Sequence, residues 1–439
     1  MAQKLQGKTV GMIALGCVKN RVDSEQMLGM LKNAGCILTD DPAKAEIIIV
    51  NTCGFIAPAK EEAIDTILEM AEYKTNGKCR VLCATGCLTQ RYGHTLMEEM
   101  PEIDVMLGVN QYEKLLPLLE KALEGEKAAD TAVSHHFMEC GRVLTTPSYS
   151  AYIKTGDGCD NRCAYCAIPL IRGPYRSRSR EAILAEMQAL ARQGVKEHIL
   201  IAQDTTRYGT DTGDSLAALM EKAAKVEGVE WLRALYMYPD ELDEKTLDVM
   251  AKHENICKYL DLPLQHASPA MLKAMNRRGT LQHIRSMLRG ARERGFCLRT
   301  TFIVGFPGET QEDFNRLMDF TEEMQFDRMG AFTFSPEDDT PAFDMPGQLP
   351  EEVKEERLSR LMELQARISR QRNSLRIGKK EKMLVTGWQE GTYTARSQWE
   401  APDADGEILL LCVRELHPGE FVEGTVIAAD VYDLTAQTR

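Results

Sequence analysis

Residues 149–169 read YSAYIKTGDGCDNRCAYCAIP. The first seven, Tyr149–Thr155, have the β-branched and aromatic character of a strand, and Cys159, Cys163 and Cys166 follow at the spacing C-x3-C-x2-C. Working outward, strand-like runs recur at Glu197–Gln203, Trp231–Met237, Cys257–Leu262, Leu298–Val304 and Arg328–Ser335, with helical stretches between them. Six βα units in about 190 residues predict a partial, open (β/α)6 barrel, shorter than the eight-unit closed form. Loops after barrel strands gather on the carboxyl edge, where ligands bind. Zinc there needs a fourth ligand, usually from a second C-x2-C or a histidine pair, and none follows with that spacing. An iron–sulfur cluster on three thiolates instead leaves one iron open to a reactant.

Ahead of the barrel, β-rich runs again alternate with helical periodicity: Thr9–Ala14 then Arg21–Asn33, Glu46–Asn51 then Pro58–Tyr73, Arg80–Thr85 then Leu88–Met100. That pattern predicts an α/β domain over residues 1–125 built on a doubly wound parallel sheet. Cys17, Cys53 and Cys87 each fall just after one of its strands, with Gly16, Gly54 and Gly86 beside them. Strand ends of a parallel sheet share one edge, so three thiols distant in sequence are expected to meet. The plainer reading makes them small buried hydrophobes. Residues 126–148 are polar, lack periodicity and read as a linker. A charged helix over Glu351–Ser374 closes a central domain of residues 149–375. Runs at Glu407–Val413, Glu420–Ala428 and Asp430–Leu434 then suggest a small β-barrel over residues 376–439.

No apolar run approaches the roughly 20 residues that span a bilayer, and the N-terminus has no secretory h-region. A cytoplasmic, non-membrane protein is expected. Thirteen cysteines in that compartment point to metal or redox chemistry rather than disulfides. A net charge of −13 disfavours wrapping nucleic acid. Between Leu384 and Arg439, three arginines stand against ten acids, a balance of −7. Such a barrel suits a basic protein partner better than tRNA. On the carboxyl edge of the central barrel, Gln203, Asp204, Gln265, His266, Gly305 and Gly308 follow strands. Arg172, Arg176, Arg178 and Arg180 form a basic run after the cysteines, where one fork-shaped donor suits a carboxylate.

C-x3-C-x-aromatic-C, with Tyr165 as the aromatic, resembles the signature of the radical S-adenosylmethionine enzymes, whose usual fold is a six-unit partial barrel. Adding the N-terminal trio and the terminal barrel, the chain resembles the methylthiotransferases over essentially its full length. ALGCVKNRVDSEQMLG, IIIVNTCGFIAPAKEEAI, IRGPYRSRSRE, ILIAQDTTRYG, LDLPLQHAS, FIVGFPGET and WEAPDADGE resemble the branch acting on an aspartate of small-subunit ribosomal protein twelve. Val18, where proline is expected, and APDADG depart from that pattern.

The resemblance implies two [4Fe-4S] clusters. Cys159, Cys163 and Cys166 would hold the catalytic one, whose open iron chelates S-adenosylmethionine, the methyl donor and radical source. Cys17, Cys53 and Cys87 would hold an auxiliary cluster that carries the sulfur. Tyr165, Arg172, Gln203, Asp204, Gly305 and Gly308 become cofactor-binding candidates, and the last domain looks like the TRAM substrate-recognition domain. The expected reaction inserts sulfur at the β-carbon of that aspartate and methylates it to 3-methylthioaspartate, with electrons from a low-potential donor. Such a C–H bond has no acidic proton, so positioned acids and bases cannot open it. A tRNA adenosine as substrate, and a zinc-binding adaptor without catalysis, are the alternatives.

Overall fold

The computed structural model describes residues 4–132, 134 and 136–438. The chain divides into two compact units, one comprising the chain up to Pro147 with Gly156–Glu186 and Glu337–Thr340, the other Ser148–Thr155, Met187–Pro336 and Pro341 onward.

The first unit is built on a parallel six-stranded sheet in the order β2-β1-β3-β4-β5-β6. Its strands are β1 (Thr9–Ala14), β2 (Ile37–Leu38), β3 (Ile47–Thr52), β4 (Val81–Gly86), β5 (Val105–Leu107) and β6 (Ala128–Asp130), with helices α1 (Val18–Asn33), α2 (Ala57–Asn76), α3 (Cys87–Glu99) and α4 (Leu115–Leu123) between them. The central strands IIIVNT and VLCATG are buried at every position, as a sheet covered on both faces requires. Alternate residues serve alternate faces: Ile47, Ile49 and Val81 pack with Met27, Leu31 and Leu115, while Ile48, Val50 and Leu82 pack with Ala63, Ile67 and Leu96. The chain leaves β1 to one side for β2 and returns on the other for β3, so the switch point of the sheet lies between β1 and β3.

The segment expected to be a linker is instead partly structured. Ala128–Asp130 adds β6 to the sheet beside β5, and further on Val143 N donates to Glu25 O at 3.0 Å. An edge strand with half-exposed side chains carries no apolar periodicity, which is why its sequence reads as a connection. The cysteine loop also belongs to this unit, framed by the antiparallel pair β8 (Gly156–Asp157) and β9 (Arg176–Ser177) and followed by the short helix α5 (Ile168–Arg172).

The second unit contains the six parallel strands of the partial barrel. β7 (Ser150–Lys154), β10 (Glu197–Ile201) and β11 (Trp231–Ala234) pair in one group, and β12 (Tyr259–Gln265), β13 (Cys297–Val304) and β14 (Arg328–Thr333) in another. A single bridge, Leu232 to Ile256, joins the groups. The helices are α6 (Arg180–Arg192), whose residues through Glu186 belong to the first unit, α7 (Leu216–Ala223), α8 (Glu244–Lys252), α9 (Pro269–Ala274), α10 (Leu281–Glu293), α11 (Gln311–Met324) and α12 (Glu351–Ser374). A closed five-stranded barrel follows, with β15 (Lys380–Gln389), β16 (Thr392–Ser397), β17 (Ile408–Leu411), β18 (Phe421–Ala429) and β19 (Leu434–Gln437) in the order β15-β16-β17-β19-β18. Met383, Val385, Ala395, Ile408, Leu410 and Val426 fill it. Two of these strands, β15 and β16, exceed the sequence expectation. Among the described residues no helix is long and apolar enough to cross a membrane.

The connection from β16 to β17 floors the partial barrel at the amino ends of its strands. Tyr152 of β7 donates to Asp403 Oδ2 at 3.0 Å, Glu197 of β10 pairs with Arg396 at 2.6 Å, and Arg233 of β11 donates to Gln398 O at 2.9 Å. Tyr259 of β12 donates to Asp405 Oδ2 at 2.6 Å, Arg299 of β13 lies 3.7 Å from Asp405, and Arg328 of β14 meets Glu400 at 2.8 Å. All six strands are thus tied to residues 396–405. Two of the ten acids counted between Leu384 and Arg439, Glu400 and Asp405, are buried within the unit and do not face a partner.

Candidate functional site

Cys17 caps the N-terminus of α1 after β1, Cys53 follows β3, and Cys87 opens α3 after β4. Two tight backbone approaches bring the three loops together. A Cβ on Gly16 would stand 2.8 Å from Cys53 Cβ and 3.0 Å from its Sγ, and one on Gly54 would stand 2.8 Å from the Leu88 backbone and 2.9 Å from Cys87 C. Gly16 and Gly86 also take positive φ, +82° and +104°, where a side chain is strained. Burial pushes the Cys53 thiol up, and charge on Cys17 pushes it the same way. Burial likewise holds Cys87 at about 11, with Arg172 opposing and Cys17 and Cys53 reinforcing. The three sulfurs therefore share one electrostatic neighbourhood, the donor set that a thiolate-ligated group fits. Among the described residues no His, Cys, Asp or Glu group is arranged for a single metal ion.

Cys159, Cys163 and Cys166 lie in the loop between β8 and α5. Cys163 is buried, and the other two are half-buried. Cys159 N donates to Gly173 O at 3.1 Å, Cys166 N to Cys163 O at 3.0 Å, and Tyr175 N to Asp160 Oδ1 at 3.1 Å. Gly158 takes φ +80° with the Gly173 and Pro174 backbone against its Cα, so the loop is folded back on its own exit. Tyr165, half-buried, sits between the last two cysteines.

Arg172 is not in an open polar loop, as its sequence context implies. It ends α5 with a side chain 1% exposed, paired with Asp23 at 3.1 Å and Asp157 at 3.2 Å. Its Nη2 reaches Asn20 Oδ1 at 2.7 Å and Cys87 Sγ at 3.7 Å. Arg178 is also withdrawn from solvent, paired with Glu139 at 2.5 Å and Glu186 at 2.7 Å. Sequence reasoning passed over Asn20, Asp23 and Asp157. The signal was available in VKNRVDSEQMLG, because α1 buries Asn20, Asp23, Ser24 and Glu25 in close succession where an apolar stripe is the ordinary outcome.

In the second unit, the expected cofactor-side residues stand at the carboxyl ends of β10, β12 and β13. Gln203 Oε1 is buried with no hydrogen-bond partner among the described residues, an acceptor-bearing amide that an incoming polar ligand would satisfy. Asp204 Oδ1 caps the turn Thr205–Arg207, accepting from Thr206 N at 3.1 Å. Gly305 takes φ +73° with the Lys354 stem against it, whereas a Cβ on Gly308 would meet nothing within 4 Å. His266 Nδ1 accepts from Ala267 N and Ser268 N, each at 2.9 Å, leaving Nε2 to face Glu309 at 3.5 Å. That imidazole is held as a structural acceptor. Glu309 in turn accepts from Gly305 N at 2.7 Å and from Arg357 at 2.6 Å, which fixes the Gly305–Glu309 turn.

The sequence matches the radical SAM superfamily over residues 153–321, the uncharacterized protein family UPF0004 over residues 9–108 and the TRAM domain over residues 377–438. It is 47% identical over 440 residues to the ribosomal protein uS12 methylthiotransferase RimO of Desulforamulus reducens, covering 98% of this chain and 99% of that one. The chain belongs to the ribosomal protein uS12 methylthiotransferase family. The member from Pelotomaculum thermopropionicum is 47% identical over 441 residues, with 98% and 99% of the two chains covered. Outside the methylthiotransferases, the radical S-adenosylmethionine methyltransferase TsrM of Kitasatospora setae, solved with cobalamin and a [4Fe-4S] cluster bound, aligns with TM-score 0.58 at 16% identity over 77% of each chain. That likeness is one of fold.

Proposed function

We propose that this protein is a radical S-adenosylmethionine methylthiotransferase that inserts sulfur at the β-carbon of an aspartate of ribosomal protein uS12 and methylates it to 3-methylthioaspartate. The observation that carries the reading is full-length identity of 47% to members named for uS12, joined to two cysteine trios, one on the loops after β1, β3 and β4 of the parallel sheet and one on the loop between β8 and α5. Cys159, Cys163 and Cys166 hold one [4Fe-4S] cluster and leave an iron open for the amino and carboxyl groups of S-adenosylmethionine. Cys17, Cys53 and Cys87 hold the second. When bound, these groups supply the one-electron and sulfur chemistry that no side chain offers. Gln203, Asp204, Gly305 and Gly308 are the second unit's candidates for contact with S-adenosylmethionine, and Tyr165 is the first unit's; Gly308 leaves room for close backbone approach, and Gln203 brings an acceptor without a partner among the described residues.

The proposed division assigns the auxiliary cluster to the domain of residues 1–125, extended to take in β6, the catalytic barrel and its following helix to residues 149–375, and substrate recognition to the TRAM-like barrel of residues 376–439. Its exposed acids, among them Glu390, Glu407, Glu415 and Glu423, suit a basic protein such as uS12 better than a tRNA adenosine. The enzyme works in the cytoplasm with a low-potential electron donor and no nucleic-acid substrate. Mass spectrometry of uS12 and of tRNA nucleosides from cells with and without this gene product tests the reading. A methylthio group replacing hydrogen on the uS12 aspartate only when the protein is present is expected. Unchanged uS12 beside a newly methylthiolated adenosine overturns it.

A further inference from the structure

We propose that Arg172 is a positioning residue for the N-terminal cluster: its guanidinium holds the sulfur of Cys87 and sets the reduction potential of the group bound there. The inference rests on the reading of Cys17, Cys53 and Cys87 as cluster ligands. A buried arginine is costly unless its charge is matched; Nη1 donates to Asp157 at 3.2 Å and forms an ion pair with Asp23 at 3.1 Å. Two carboxylates suffice for the charge. Nη2 is nevertheless directed elsewhere, to Asn20 Oδ1 at 2.7 Å and Cys87 Sγ at 3.7 Å. The amide of Asn20 has no freedom to turn, because its Nδ2 donates to Thr52 O at 2.9 Å and Leu15 O at 3.3 Å. Oδ1 therefore stays aimed at Arg172 and at Cys87 Sγ, 3.5 Å away.

The same contact joins the two trios. Arg172 follows Cys166 by six positions on α5, and Ala167 and Ile171 of that segment pack with Cys87 and Val109 in one buried cluster. The exit of the catalytic loop is thus seated on a ligand of the other site. A cationic N–H donor at a ligating sulfur draws electron density from it and favours the reduced state. Loss of the donor lowers the potential.

The test uses the full chain, reconstituted anaerobically with iron and sulfide, as the unchanged sequence, as Arg172→Lys, and as the pair Arg172→Gln with Asp157→Asn. Lysine keeps the buried charge but not the fork that reaches sulfur; the pair removes one buried charge of each sign. Redox titration followed by electron paramagnetic resonance reads the N-terminal cluster in a background in which Cys159, Cys163 and Cys166 are alanine. Both variants are expected to retain the N-terminal irons at a potential below that of the parent, while the catalytic cluster, read in a background lacking Cys17, Cys53 and Cys87, keeps its potential. Retained irons at an unshifted potential in both variants overturn the proposal. Failure of the ligand reading shows separately, as no iron in the first background before Arg172 is changed.

Discussion

The carboxylate of Glu197 meets the guanidinium of Arg396 at 2.6 Å, one at the amino end of a barrel strand and the other in the terminal five-stranded barrel, and both are buried. Burial alone would raise the Glu197 pKa, but Arg396 and Arg233 outweigh it and hold the group at about 2, below its ordinary 4.5. A carboxyl depressed on folding contributes stability that is complete above its unfolded pKa and is lost as pH falls toward the folded one. Stability of the second unit should therefore decline between pH 4.5 and about 2. Glu197→Gln strands two buried guanidinium groups and is expected to cost about 3–5 kcal/mol at neutral pH. It should also flatten the acid limb. Chemical denaturation across that pH range checks both.

Acidic residues of the last domain should separate into two kinds. Asp405→Ala leaves the buried hydroxyl of Tyr259 without its 2.6 Å acceptor, at a cost of about 1–3 kcal/mol in stability. Neutralising the exposed Glu407, Glu415 and Glu423 should leave the melting temperature alone and slow association with uS12, most visibly at low salt. Thermal melts beside stopped-flow binding distinguish the groups.

Replacing Cys159, Cys163 and Cys166 by alanine should abolish 5′-deoxyadenosine formation and leave about four irons on the N-terminal domain, as one cubane cluster carries. Replacing Cys17, Cys53 and Cys87 should do the reverse, with cofactor cleavage retained and sulfur insertion stopped. Iron analysis and product chromatography give the result. Loss of all iron in either triple variant would mean one shared site.

Gly86→Ala places a Cβ against Thr52 N at 2.8 Å with φ at +104°. The strain, about 1–3 kcal/mol, falls on the residue before Cys87. Iron on the N-terminal domain should bind more weakly, while Gly330→Ala, at an ordinary φ with nothing within 4 Å, should fold normally. Iron retention under a chelator and the unfolding midpoint report the contrast.

Long periodic elements were legible in the sequence. Thr9–Ala14 and Glu351–Ser374 coincide with β1 and α12, and the six barrel strands fall where alternation places them. Convergence of Cys17, Cys53 and Cys87 followed from topology, since strand ends of one parallel sheet share an edge. What stayed hidden is nonlocal or polar. Ala128–Asp130 is too short and too exposed to show a period, and two partners of Arg172, Asn20 and Asp23, come from α1, over 140 positions upstream. Nothing in the sequence marks Glu400 and Asp405 as buried, because charge in a turn is ordinarily solvated; only the facing arginines and tyrosines at the strand starts offset the cost of their burial.

The floor that residues 396–405 give the partial barrel also orders events in time. Tyr152 finds its partner in Asp403 across 251 positions, so β7 leaves the ribosome long before the groups that satisfy it exist. Through most of synthesis the amino mouth of the barrel is open, with Glu197 lacking Arg396 and Arg328 lacking Glu400. Final consolidation of the barrel thus awaits the recognition domain, a long-range closure of the kind that slows folding. A chain interrupted before residue 396 would present that ionic mouth to chaperones and proteases.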